Sequence, residues 1–188
     1  MHMAKLYFRY AAMNAGKSTA LLQVAHNYEE RGHQVRLFTA LVDDRYGLGN
    51  ITSRLGPKRA AELFTPETDF LELFAAGSGI SCILIDEAQF LQKAQVWALH
   101  ELAHMHNLPA ICYGLRTDFQ GELFTGSASL LALADEIDEM KTICDCGRKA
   151  TMNMRVDANQ RKVTEGAQVE IGGNARYRAV CGRCFRQA

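Results

Sequence analysis

Apolar and polar positions change period in a regular order along the chain. Lys5 to Tyr10 is a short, aromatic-rich run that predicts a strand. Ala11 to Gly16 is a loop of mostly small residues. From Lys17 onward, Ala20, Leu21, Val24, Ala25 and Tyr28 recur at helical spacing, and Gly32 marks the end of that helix. Val35 to Ala40 predicts a second strand. The polar, glycine-bearing stretch Asp43 to Gly56 is expected to be mobile and to face solvent. Phe70 to Ala76 predicts a helix. Ile80 to Ile85 is a nearly unbroken apolar run, the mark of a strand covered on both faces of a parallel sheet. Lys93 to His106 predicts a helix, Ala110 to Leu115 another buried strand, and Ser127 to Met140 a further helix. This alternation predicts the α/β class, a parallel sheet with helices on both faces. Near Lys141 the long apolar periods give way to cysteines, charges and glycines.

The chain has 188 residues, one domain and a small appendage at roughly 150 residues per domain. Its 48% hydrophobic content can supply a core. Lys+Arg and Asp+Glu both number 21. A balanced charge argues against a nucleic-acid partner, because phosphate-binding surfaces usually carry a basic surplus. No apolar run approaches the roughly 20 residues that span a bilayer. The first residues show no basic segment followed by an apolar core, so no membrane role is expected and the expected location is the cytoplasm.

The six cysteines divide by context. Cys82 and Cys112 lie inside apolar strands and read as small core residues. Cys144 and Cys146 form one close pair, Cys181 and Cys184 a second. Two disulfides are the rival reading, but a reducing cytoplasm disfavours them. Two pairs separated by a few tens of residues suit a four-thiolate structural zinc site, closed to water and therefore not catalytic.

The first strand runs directly into Ala11-Ala12-Met13-Asn14-Ala15-Gly16-Lys17-Ser18-Thr19 and then a helix. This is the strand–loop–helix setting of a P-loop, in which backbone N–H groups and a helix N-terminus hold phosphates. Lys17 would reach the β- and γ-phosphates and Ser18 would offer its hydroxyl to Mg²⁺. Ala11 stands where the pattern usually begins with glycine, so it must find a backbone conformation open to a Cβ. The buried strand Ile80–Ile85 delivers Asp86 and Glu87 to the carboxyl edge of the sheet, where ligands bind in such folds. Asp86 suits the acidic residue that holds Mg²⁺, and Glu87 is free to accept a proton from an attacking hydroxyl or water. These motifs imply phosphoryl transfer or hydrolysis without naming the acceptor. The predicted division is a P-loop α/β nucleotide-binding domain over residues 1–141 and a zinc-binding domain over 142–188.

In order along the chain stand Met13-Asn14-Ala15-Gly16-Lys17-Ser18, Asp43-Asp44-Arg45-Tyr46, Asp86-Glu87-Ala88-Gln89-Phe90, Tyr113-Gly114-Leu115-Arg116-Thr117-Asp118-Phe119, Ile171-Gly172-Gly173 and the paired cysteines. Each motif is weak alone, but the ordered set, from Leu6 to Cys184, resembles the type II thymidine kinases. The resemblance implies transfer of the γ-phosphoryl group of Mg-ATP to the 5′-hydroxyl of deoxythymidine, a homotetramer, and dTTP as a feedback inhibitor. Glu87 matches the family's general base. Asp43 matches a residue that bonds the 3′-hydroxyl, and Arg45 a basic residue near the transferring phosphate. Met13, Phe90, Leu115, Phe119 and Phe124 match apolar positions around the thymine. Asn153 falls where relatives place a residue by the thymine methyl. Glu170, Ile171, Gly172, Gly173 and Tyr177 match the lasso, a loop between the zinc-ligand pairs that closes over the nucleoside. An aromatic-lined slot suits a methylated pyrimidine, and closure of a tethered loop excludes water.

Two alternatives stand beside this reading: another P-loop enzyme, either a kinase for a different deoxynucleoside or an ATPase, and a non-enzymatic module in which a zinc knuckle binds nucleic acid. The balanced charge and the acidic pair at the sheet edge count against the second. His100, His104 and His106 share one predicted helix. With no third ligand in evident spacing, His100 and His104 read as part of a helix surface rather than as a metal site.

Overall fold

The computed structural model describes residues 3–41, 49–53, 55–74, 79–170 and 176–188. Its main body is a six-stranded sheet built from β1 (Leu6–Ala11), β2 (Gln34–Ala40), β5 (Glu62–Phe64), β6 (Ile80–Ile85), β7 (Ala110–Leu115) and β8 (Glu136–Glu139). The strand order is β5-β2-β6-β7-β1-β8, and every neighbouring pair is parallel. Parallel neighbours need crossover connections, which here are supplied largely by helices packed on the two faces. These are α1 (Lys17–Glu29), α2 (Phe70–Phe74), α3 (Lys93–His106) and α4 (Thr125–Leu133).

Period-two alternation along the central strands divides the core between the faces. Ile83 and Ile85 of β6, with Ala110 and Cys112 of β7, join Leu6, Phe8 and Phe38 in a layer covered by α2, α3 and α4. Cys82 and Leu84, with Ile111 and Tyr113, form the opposite layer under Leu21, Leu22 and Ala25 of α1. Covering both faces explains why these strands read as continuous apolar runs. Fully burying a Leu, Ile or Phe side chain in these layers contributes about 1.5–3 kcal/mol.

Two expectations are corrected. Ser127 to Met140 is not one helix: α4 ends at Leu133 and residues 136–139 form β8. Asp135 sets the break, since its carboxylate accepts the Leu6 N–H at 2.8 Å and its own N–H donates to the Leu6 carbonyl at 2.9 Å. The following residues are thereby aligned with β1, where Lys5–Glu136 (2.5 Å) and Arg9–Asp138 (3.6 Å) pair across the strands. A charged edge strand is also protected against further pairing. Nor does all of Asp43 to Gly56 face solvent. Residues 43–48 and 54 lie outside the described residues, but Asn50–Thr52 forms β3 and pairs with β4 (Lys58–Ala60). Ile51 of this hairpin is buried against α1 and Ser53 is buried beside it. A three-residue strand is too short to show a period. Among the described residues, no helix is long and apolar enough to cross a membrane.

After Met140 the chain builds a smaller unit from β9 (Thr142–Ile143), β10 (Lys149–Ala150), β11 (Met152–Arg155), β12 (Tyr177–Val180) and α5 (Gly182–Gln187). Two antiparallel pairs, β9–β10 and β11–β12, enclose a cluster of Cys144, Ala150, Met154, Val156, Val180 and Cys181 that is separate from the sheet core.

One close approach ties α4 to the segment after β6. A Cβ on Gly126 would lie 2.4 Å from the Ala88 carbonyl oxygen and 2.9 Å from those of Gln89 and Leu91. Gly126→Ala is therefore expected to destabilise the protein by about 1–3 kcal/mol, the usual cost of overpacking. A shift in the urea midpoint checks this.

Candidate active site

The phosphate loop begins where β1 ends. Ala11 is the last residue of β1, in register with Leu115, and is buried in extended backbone that a Cβ tolerates. The left-handed positions of the loop fall instead at Asn14 (φ 66°) and Gly16 (φ 79°), residue types that accept them. Gly16 turns the chain into α1, so Lys17, Ser18 and Thr19 occupy its first turn at the positive end of the helix dipole. Lys17 Nζ lies 3.5 Å from the Ala12 carbonyl, across the loop. Thr19 Oγ1 is 2.6 Å from Ser53 Oγ, joining the helix start to the β3–β4 hairpin.

Ser18 Oγ donates to Asp86 Oδ2 at 2.8 Å, which brings the two halves of the expected phosphate site together. Asp86 is only 4% exposed. Burial, and next the charge of Glu87, push its carboxyl up to about 6, while the Ser18 hydroxyl and the Lys17 charge oppose the shift. A hydroxyl and a buried carboxylate side by side are an oxygen donor set that fits Mg²⁺, and a divalent cation would relieve the charge burden. Glu87 is half-buried and left-handed (φ 54°, ψ 37°). That conformation costs of order 1–3 kcal/mol for a non-glycine residue and often marks a site where geometry matters. Its Oε2 accepts from Gln89 Nε2 at 2.5 Å, and Gln89 Oε1 accepts the Leu115 N–H at 3.0 Å. The acid is thus held against the carboxyl ends of β6 and β7.

Residues expected around a base gather nearby. Phe90 and Phe124 meet edge to face, centroids 5.9 Å apart. Asn153 is buried, and its amide spans two backbone groups: Oδ1 accepts the Met13 N–H at 2.8 Å and Nδ2 donates to the Thr117 carbonyl at 3.0 Å. Strand β11 therefore grips the phosphate loop directly. Asp118 accepts from Gln168 Nε2 at 2.9 Å, and Gln120 donates to the Thr164 carbonyl at 3.1 Å, fastening residues 164–168 to the loop after β7. Glu170 is exposed and pairs with Arg176, while Tyr177 opens β12 and its hydroxyl meets Arg155. Asp43, Arg45, Ile171, Gly172 and Gly173 lie outside the described residues.

The four cysteines after residue 141 converge. Their Sγ atoms all lie within 4.8 Å of one another, with Cys146 and Cys181 at 3.6 Å. Sulfurs bound tetrahedrally to zinc at about 2.3 Å would be separated by about 3.8 Å. All four are free thiols. Cys184 N–H donates to Cys181 Sγ, and that backbone bond foremost draws the Cys181 thiol down to about 6. The cluster can hold a metal ion, and its all-sulfur donor set is compatible with structural zinc. On α3, His100 and His104 pack with ring centroids 4.2 Å apart, and His104 Nε2 lies 3.1 Å from Asp135 Oδ2.

A loop of phosphate-binding shape, an oxygen pair that fits a divalent cation and a positioned carboxylate at one sheet edge suit phosphoryl transfer. The thymidine kinase family model matches residues 4–185. The chain belongs to the thymidine kinase family. It is 60% identical to a thymidine kinase of Chromobacterium violaceum over 97% of this chain and 98% of that protein. It is 56% identical to one of Idiomarina loihiensis, covering 99% and 98%, and 54% identical to one of Ruegeria pomeroyi, covering 99% and 96%.

Within this thymidine kinase family site, buried polar braces without a role evident in the sequence include Gln89, Asp118, Ser127 and Arg155. Gln89 lies between Ala88 and Phe90, and Asp118 precedes Phe119, so their polarity beside apolar neighbours was an available signal. Arg155 offered only its period-two relation to Asn153.

Because Asp86 carries a raised pKa, its ionised form burdens the fold. An Asp86→Asn variant without added divalent cation is expected to be about 1–3 kcal/mol more stable at pH 7. The gain should shrink as pH falls from about 6 toward 3.8, where the folded carboxyl regains its proton before the unfolded one does. Urea titrations across that range check both magnitude and sign.

Proposed function

We propose that this chain transfers the γ-phosphoryl group of Mg-ATP to the 5′-hydroxyl of deoxythymidine, giving dTMP and ADP in pyrimidine deoxynucleoside salvage. The carrying observation is that Glu87, braced by Gln89, stands next to the Asp86–Ser18 pair at the mouth of the phosphate loop. Met13 to Gly16 and the start of α1 bind the phosphates, with Lys17 supplying charge. Thr19 supports the loop through Ser53. Ser18 and Asp86 would hold Mg²⁺, which would neutralise charge on the transferring phosphoryl group. Glu87 accepts the proton of the 5′-hydroxyl, and Arg45 lies near the phosphate. Asp43 bonds the 3′-hydroxyl.

Thymine lies among Met13, Phe90, Leu115, Phe119 and Phe124, and Asn153 acts through the Met13 backbone it holds. Glu170, Ile171, Gly172 and Tyr177 belong to the loop that closes over the nucleoside. Cys144, Cys146, Cys181 and Cys184 bind structural zinc, which fixes both ends of that loop within a domain spanning residues 142–188, beside a nucleotide-binding domain spanning 1–141. The assembly is a homotetramer in the cytoplasm, inhibited by dTTP, with neither nucleic acid nor membrane as a partner.

The direct test is phosphoryl transfer from Mg-ATP to a panel of deoxynucleosides, with a control lacking any acceptor. Transfer to thymidine and deoxyuridine, with little to deoxycytidine or purines, is expected. One methyl in an apolar pocket is worth only about 1–3 kcal/mol. ATP loss without an acceptor would identify an ATPase instead. Glu87→Gln should keep thymidine binding while transfer falls by about 10²–10⁴, the usual worth of general-base catalysis. Removing the metal with a chelator should weaken thymidine binding more than ATP binding, as read by calorimetric titration of each ligand; equal losses would signify global unfolding.

A further inference from the structure

Strand β11 turns two polar side chains toward the main body. Asn153 and Arg155 are two residues apart and so share a face. Arg155 is only 4% exposed. Its Nε and Nη2 donate to the Tyr177 hydroxyl at 2.9 and 2.6 Å, and Nη2 also donates to the Ala167 carbonyl at 2.8 Å. Its Cζ lies 3.7 Å from the centroid of the Phe119 ring and 5.2 Å from that of Tyr177. Glu170 Oε2 stands 3.7 Å from Nε and is 40% exposed. One guanidinium therefore joins the loop after β7, the loop between the cysteine pairs and the first residue of β12.

Burying a cation is costly, and a well-packed apolar residue often stabilises a fold as well or better. An apolar side chain could not supply the remaining property, which is geometry. A planar fork stacks on one ring while its edge donates to a second group and to a backbone carbonyl. We infer that Arg155 is the positioning residue of the nucleoside site, setting the orientation of Phe119 and Tyr177 and the docking of residues 167–170 without touching substrate. The inference rests on the reading that Phe119 and Tyr177 face the nucleoside.

The test is steady-state kinetics on zinc-loaded Arg155→Met and Arg155→Lys, with Phe119→Ala as the control for the site itself. Arg155→Met should raise the KM for thymidine roughly 10-fold or more, the consequence of losing charge-assisted bonds. The KM for ATP and the zinc content should be unchanged. Arg155→Lys should show most of the same rise, because an ammonium keeps the charge but neither stacks nor forks. If Arg155→Met does not fold, the lysine variant alone decides. A parallel rise in both KM values, loss of zinc, or full rescue by lysine would overturn the inference, since each signifies general stability or charge. An unchanged thymidine KM in the Arg155 variants, with a raised one in Phe119→Ala, would overturn the positioning role alone. Unchanged thymidine KM in all three would overturn the site reading together with it.

Discussion

The hydrogen bond from Ser18 to Asp86 joins the start of α1 to the residue that follows β6, and it gives a buried carboxyl a protic partner at the sheet edge. A carboxylate at the tip of a strand buried on both faces is unfavourable unless something positive or protic meets it. The phosphate loop provides that group, and its place is set by β1, with β7 between it and β6 in the sheet. Sheet order thus decides which loop relieves which charge. Burial and the neighbouring Glu87 still leave the Asp86 carboxyl raised to about 6, a charge burden that a nearby cation would relieve.

The same economy governs Glu87. Its left-handed backbone would relax if it were unsupported, yet the surroundings over-determine it. Gln89 binds its carboxylate and the Leu115 N–H, and α4 presses on the Ala88 carbonyl through Gly126, where no side chain larger than hydrogen fits. Ser127 completes the brace by donating to the Leu115 carbonyl at 2.5 Å. A helix without charged residues, α4 acts on the acidic turn purely by shape.

The small cysteine-bearing unit is attached to the main body by polar braces as well as by the chain. Asn153 holds Met13 and Thr117, while Asp118 and Gln120 hold residues 164–168. Asn153 and Asp118 are buried, so removing the partner of either leaves a buried polar group unsatisfied, which is costly. The unit carrying the four clustered thiols is therefore fastened to the loop after β1 through Asn153.

Strands β6 and β7, and helix α3, were legible with their observed bounds because each buries enough surface to impose a clear period. The P-loop, the acidic pair and the four thiols were legible because their chemistry demands particular residue types at short spacing. The strand β8 was not: Glu136 to Glu139 gains its conformation from pairing beside β1, and Asp135 from bonds to Leu6, partners more than a hundred residues away. Strand β3 was hidden for the same reason, its three residues being too few to carry a pattern. Propensity and spacing act over one or two turns of chain, so they fix local elements and local chemistry. The roles of Gln89, Asn153 and Arg155 depend on which backbone groups the fold leaves facing them, and only the tertiary structure decides that.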